Sequence, residues 1–255
     1  MSKQTKPQTN NETTKPPLLF IHGFRGNHLG LAEIETYFKK QGYDCYVPDI
    51  PPALNTKKEH VPKLSAYTAD GYAKWVADYI LEHHLDRPIL IGHSMGSIIC
   101  AATAEKYPEL INEKIFFLSP ICETPPPFIC QVAPLVRFVP SKLSSYLTTK
   151  YLITPKDKHT LKQVLDITYR CAEKFTSLSD VGRAAKFSIS YSISDFDFKK
   201  QAVFIAGESD KLNSQKQVKK MAKKYQSEPI FLANSGHLVN YERPLALAKA
   251  IEQNL

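Results

Sequence analysis

From Leu18 onward, short apolar runs of strand length alternate with stretches of helical period, and this alternation limits the fold more than any other feature of the chain. A strand that is apolar throughout needs cover on both faces, so the pattern argues for a mostly parallel sheet flanked by helices, an α/β fold. Six runs qualify as strands: 17–22, 43–48, 88–92, 114–119, 201–206 and 228–233. Helical periods fall between them near 29–41, 67–84, 95–107 and 214–225, and a last helix begins at Pro244, a residue suited to a first turn.

One interval breaks this rhythm. Residues 121–200 separate the fourth and fifth strands, and compact domains seldom hold a structureless loop of that length. Pro125, Pro126 and Pro127 forbid helix at its opening, after which helical patterns recur around 129–138, 141–151, 158–175 and 179–191. The expected organisation is a polar tail without fixed structure at 1–17, a core built from 18–120 and 201–255, and a helical cap inserted at 121–200.

Composition narrows the function classes. With 43% apolar and 23% charged residues the chain reads as globular, and no apolar run approaches the roughly 18 to 20 residues of a membrane span. The first 17 residues lack the apolar centre of a secretory signal, so a cytoplasmic location is expected. The five cysteines, Cys45, Cys100, Cys122, Cys130 and Cys171, have neither the count nor the spacing of a disulfide frame or zinc site and are expected to be reduced and mostly buried. The net charge of +8 gathers most densely at Lys216, Lys219, Lys220, Lys223 and Lys224. Val218, Met221, Ala222 and Tyr225 interleave with them at helical spacing, which makes the lysines the wet face of an amphipathic helix. No arginine cluster or aromatic stacking series accompanies them, so neither a nucleic-acid partner nor stable membrane association is expected.

Chemistry concentrates at Gly92-His93-Ser94-Met95-Gly96, which follows an apolar strand and opens a helix of small residues. A nucleophile on a sharp strand-to-helix turn needs small neighbours, because the strained backbone leaves no room for bulk, and the helix N-terminus then favours negative charge nearby. Ser94 fits that position. A serine hydroxyl needs a base and a group to orient the base. His237 lies just past the last strand, and Asp210 just past the fifth, both at the carboxyl edge of the sheet. Glu208 is the nearest rival to Asp210, with Asp195 and Asp197 further off. The chain order Ser, Asp, His agrees with one serine-hydrolase fold and with neither of two protease folds. The backbone N–H groups of Phe24, after His22-Gly23, and of Met95 are the candidate oxyanion donors.

Taken together, His22-Gly23-Phe24, the turn 92–96, Gly207 with Asp210, and Gly236-His237 followed by Glu242, Arg243 and Pro244 resemble the α/β-hydrolase superfamily, particularly its small lidded serine esterases. The resemblance covers nearly everything after the tail, and the insertion at 121–200 falls where that family places its cap. Two departures stand out: the chain has only a polar tail where relatives often begin with a β-hairpin, so a trimmed sheet is expected, and Asp49-Ile50-Pro51-Pro52 replaces a glycine-rich turn.

The resemblance implies a carboxylesterase-like enzyme cleaving a small or medium ester through an acyl-enzyme, without metal or organic cofactor, as a monomer or homodimer. Candidate substrate contacts are His22, Gly23, Arg25, His93 and Phe128. The apolar cap residues, among them Phe128, Ile129, Val132 and Phe138, serve either an acyl or aromatic pocket or the cap's own core. A carbon–carbon bond hydrolase, a perhydrolase or a receptor that binds without turnover remain open on the same fold.

Overall fold

Residues 15–53, 63–124, 141–154, 157–172 and 178–255 are described by a computed structural model. The proline run 125–127, the helical pattern 129–138, Phe128, Cys130 and most of the polar tail lie outside the described residues. Among the described residues six strands form one sheet: β1 (Leu18–Ile21), β2 (Cys45–Tyr46), β3 (Ile89–His93), β4 (Lys114–Leu118), β5 (Gln201–Gly207) and β6 (Ile230–Leu232). Every pairing is parallel, in the order β2-β1-β3-β4-β5-β6. Because β2 and β3 flank β1 on opposite sides, the chain reverses direction between β1 and β3, and the carboxyl ends of these two strands border a crevice.

The two-residue period of the strands sorts the core into two layers. Leu18, Phe20, Ile89, Ile91, Phe116 and Leu118 point to one face. They pack there against Ile34 and Phe38 of α1 (Ala32–Lys40) and Leu247 and Ile251 of the C-terminal helix Pro244–Glu252. The alternate residues Leu19, Ile21, Leu90, Ile115, Phe117 and Phe204 meet α2 (Ala69–Glu82), α3 (Met95–Lys106) and the helix Gln215–Lys224 on the other. Both faces are dry, which explains why these runs carry no polar alternation. The side chains of Thr68 and Ser214 accept from the N–H groups of Gly71 and Gln217, capping α2 and the lysine-rich helix.

Between β4 and β5 stand three described helices, α4 (Ser141–Leu152), α5 (Lys158–Ala172) and α6 (Leu178–Ser190). They are followed by α7 (Gln215–Lys224), α8 (Val239–Glu242) and α9 (Pro244–Glu252). Ile153 and Val164 form a small apolar cluster with Leu238, joining this region to the segment after β6. On α7 the five lysines are exposed while Val218, Met221 and Ala222 are buried, as the amphipathic pattern predicts.

Strand ends differ from the sequence-based expectation where the backbone has other partners. The run 43–48 pairs only at Cys45 and Tyr46: Tyr43 N–H closes the turn after α1 on Phe38, and Pro48 has no N–H to donate. Conversely, β3 and β5 extend one residue further, to His93 and Gly207. At the opposite edge of the sheet, Lys15 donates to the Gln41 carbonyl, and Lys114 Nζ holds the carbonyl oxygens of Asn254 and Leu255. Cys100 and Cys122 are buried and Cys45 is partly so, with burial pushing the Cys45 and Cys122 thiols up to about 12.

Phe116 is wholly buried at the centre of the sheet, whereas Leu81 on α2 is 57% exposed. Phe116→Ala is expected to lower unfolding free energy by about 3–5 kcal/mol. Leu81→Ala should stay within about 0.5 kcal/mol of the parent, both read from urea denaturation.

Candidate active site

The turn between β3 and α3 is forced by contact. A Cβ on Gly96 would fall 2.1 Å from the carbonyl oxygen of Ile21, so only glycine lets α3 rest on the end of β1. Ser94, squeezed between strand and helix, adopts φ 53° and ψ −118°, a backbone region that costs a non-glycine residue on the order of 1–3 kcal/mol. Its N–H donates to Leu118 O at 3.0 Å and its carbonyl accepts from Ser97 N–H at 2.8 Å, which holds the residue there. The side chain therefore stands clear of the sheet at the N-terminus of α3.

Three side chains from distant parts of the chain meet at this point. His237 Nε2 lies 2.8 Å from Ser94 Oγ, and His237 Nδ1 lies 2.8 Å from Asp210 Oδ2. A carboxylate only accepts, so Nδ1 carries the ring proton and Nε2 is left to accept from the serine hydroxyl. Asp210 Oδ1 takes the N–H groups of Leu212 at 2.8 Å and Asn213 at 3.2 Å. Burial alone would raise the Asp210 carboxyl; the neighbouring His237 and these hydrogen bonds outweigh it and hold the group below its ordinary range. Glu208, Asp195 and Asp197 are exposed, and Asp195 caps Ser192 instead.

The sequence-predicted contacts have separate fates. His22 is buried with both ring nitrogens on backbone: Nε2 accepts from Ile50 N–H at 2.9 Å, and Nδ1 lies 2.9 Å from Gly23 O. Gly23 packs directly against the side chains of Ser94 and His93. His93 Nε2 donates to the His237 carbonyl at 3.0 Å, so this ring braces the backbone of its neighbour. Burial, with the nearby His237 adding to it, pushes the His93 ring down to about 3, so it stays neutral. Arg25 lies in the left-handed region at φ 60° and lines the cavity. The N–H groups of Phe24 and Met95 have no acceptor among the described residues, as expected for a strand-end loop and the first turn of a helix.

A cavity of about 880 Å³ opens over Ser94. Its wall takes His22, Phe24 and Met95 from the core, and Leu147, Tyr151 and Ile189 from the β4–β5 connection. Two contributors carry no role in the sequence reading. Leu152 O accepts from His237 N–H at 2.7 Å, and the buried Glu242 binds Gly236 N–H at 2.7 Å. Glu242 was legible as part of the family resemblance, but its burial was not. Among the described residues, no group of three or more His, Cys, Asp or Glu side chains is placed to hold a metal ion, and no helix is long and apolar enough to cross a membrane.

His93 supplies a pH signature. A ring that titrates near 3 when folded and near 6.5 when unfolded contributes stability that is full above pH 6.5 and is lost as pH falls toward 3. Its share of that slope is about 1.4 kcal/mol per pH unit, and His93→Asn should flatten the stability–pH curve by that amount between those limits in urea titrations at graded pH.

Comparison with known proteins bears on the fold that carries this site. The family model described as alpha/beta hydrolase fold matches residues 16–130. Lipase 3 of Moraxella sp. (strain TA144) is 35% identical over 104 residues, which are 40% of this chain and 31% of that lipase. Protein ABHD8 of Bos taurus is 28% identical over 135 residues, 53% of this chain and 31% of that protein. The chain thus matches about a third of the length of these curated relatives. Among solved structures, an esterase from Exiguobacterium antarcticum superposes with a TM-score of 0.78 at 12% identity, over 94% of this chain and 92% of that one. A malate-bound thermophilic esterase from Thermogutta terrifontis gives 0.76 at 17% identity, over 94% and 89%. The turn at Ser94, the parallel sheet beneath it and these likenesses show that the chain has the α/β-hydrolase fold.

Proposed function

We propose that the chain is a serine hydrolase that cleaves a small or medium carboxylic ester through an acyl-enzyme. The observation that carries the reading is the unbroken run of hydrogen bonds from Asp210 through His237 to Ser94, at 2.8 Å on both sides of the imidazole. In this reading Ser94 Oγ attacks the ester carbonyl carbon while His237 Nε2 takes its proton. The carbonyl oxygen becomes an oxyanion within reach of the Phe24 and Met95 N–H groups, at the positive end of α3. Collapse of the intermediate breaks the ester C–O bond, and His237 returns the proton to the leaving alcohol. Water, deprotonated by the same imidazole, then frees the acid and restores Ser94. Asp210 keeps the ring in the productive tautomer and stabilises its cationic form in both steps.

Residues 121–200 act as the cap in this scheme, since Leu147, Tyr151, Leu152 and Ile189 line the cavity opposite the core. The mainly apolar lining from the connection suits an acyl chain, and the lipase and esterase relatives support the ester class.

A fluorophosphonate probe should label the wild type and leave Ser94→Ala unlabelled; a folded wild type that does not react overturns the reading in favour of a receptor. Against nitrophenyl esters of graded acyl length, Ser94→Ala and His237→Ala should each lower kcat by about 10⁴-fold or more, with the double variant little worse. Asp210→Asn should lose on the order of 10³- to 10⁴-fold, and retention of activity there would transfer the orienting role to Glu208. Cleavage of a vinylogous diketone with no ester turnover would move the assignment to carbon–carbon chemistry.

A further inference from the structure

The base His237 is held by more than Asp210, and the remaining holders take no part in the proton transfers of the hydrolytic scheme. Glu242, at the end of α8, is 5% exposed and has no cationic partner among the described residues, an unusual setting for a carboxylate. Its two oxygens are spent on two backbone donors from different segments. Oε2 accepts from Gly236 N–H at 2.7 Å, one residue ahead of the base, and Oε1 accepts from Thr154 N–H at 2.6 Å, just past the end of α4. Alongside, His237 N–H donates to Leu152 O at 2.7 Å. The approach is close enough that a Cβ on Gly236 would stand 2.4 Å from that same carbonyl oxygen.

We infer that Glu242 is a positioning residue: its carboxylate ties the segment leaving α4 to the loop of His237, so that the reach of the imidazole to Ser94 depends on how residues 152–154 are seated. The inference rests on the reading of His237 as base and Ser94 as nucleophile, and adds to it that the β4–β5 connection sets the geometry of the base as well as lining the cavity. The physical argument is one of satisfaction. The buried Gly236 N–H, the half-buried Thr154 N–H and the buried carboxylate are all paired when the three are in place, and removing the seated segment would strand charge and donor together. Bonds to a charged acceptor are the strong kind, and here they hold Gly236, one residue before the base, and Thr154, two residues past the carbonyl that accepts from the His237 N–H. His93 holds the carbonyl side of residue 237 and the last residue of α4 holds its amide side.

Glu242→Gln preserves shape but turns an amide NH2 toward one of the two N–H donors. In the full chain, kcat for a short ester and the rate of fluorophosphonate labelling at Ser94 should both fall about 10- to 100-fold, as loss of alignment by a fraction of an ångström does. KM should move by less than about threefold, because no substrate contact is removed. The downfield proton resonance of His237 Nδ1–H, shared with Asp210, should shift or broaden. A folded Glu242→Gln that labels at the parent rate with an unchanged resonance overturns the inference. If the wild type neither labels nor hydrolyses, the hydrolase reading fails by itself, and the resonance still reports whether Glu242 positions the ring. Should the variant not fold, amide exchange in the wild type decides: Gly236 and Thr154 are expected to open together, and rates differing by more than about tenfold in protection would overturn the coupling.

Discussion

The seating of α3 on the end of β1 is the contact on which the rest of this molecule depends. With 2.1 Å between a notional Cβ at residue 96 and the Ile21 carbonyl, the helix cannot approach unless that residue is glycine. Once it does approach, the link from β3 to α3 has too few residues to turn gently, and Ser94 is pressed into its left-handed backbone. The same contact brings the loop after β1, with Gly23 and Phe24, against the serine. The proposed nucleophile, the N–H groups proposed to hold the anion and the helix dipole are thus consequences of one steric fit between two neighbouring elements, in a crevice that the strand order had already opened.

Three buried imidazoles near this crevice show how partners, more than burial, decide what a histidine does. His22 has both nitrogens committed to backbone and serves to join the end of β1 to residue 50. His93 commits one nitrogen to the backbone of residue 237 and is held neutral by its surroundings. His237 faces side chains through both nitrogens, one an anion and the other a hydroxyl, which is the arrangement that the proposed proton transfer uses. Burial stiffens all three; the distribution of acceptors divides the labour among them.

Much of this was visible in the chain before any coordinates. The apolar runs are long enough to be read as strands because both faces of the sheet are covered, and Ser94 is conspicuous because glycines at 92 and 96 leave few other reasons for its surroundings. Asp210 could be ranked above Glu208 only by position, and it is the carboxylate that faces the imidazole. The shortness of β2 was hidden, since the run has strand propensity and loses its pairing to a turn at one end and a proline at the other. The duties of His93 and Glu242 were equally hidden. Both bind backbone groups of residues that become neighbours only after folding, and backbone partners leave no signature in side-chain spacing.

The anchoring of Asn254 and Leu255 carries a practical corollary. Lys114 grips these two carbonyls at the amino-terminal edge of the sheet, where Lys15 is also tied, while the cavity opens at the carboxyl-terminal edge. Immobilising the protein on a bead or fusing it to a carrier through residue 255 would therefore orient the cavity mouth outward, free of the support.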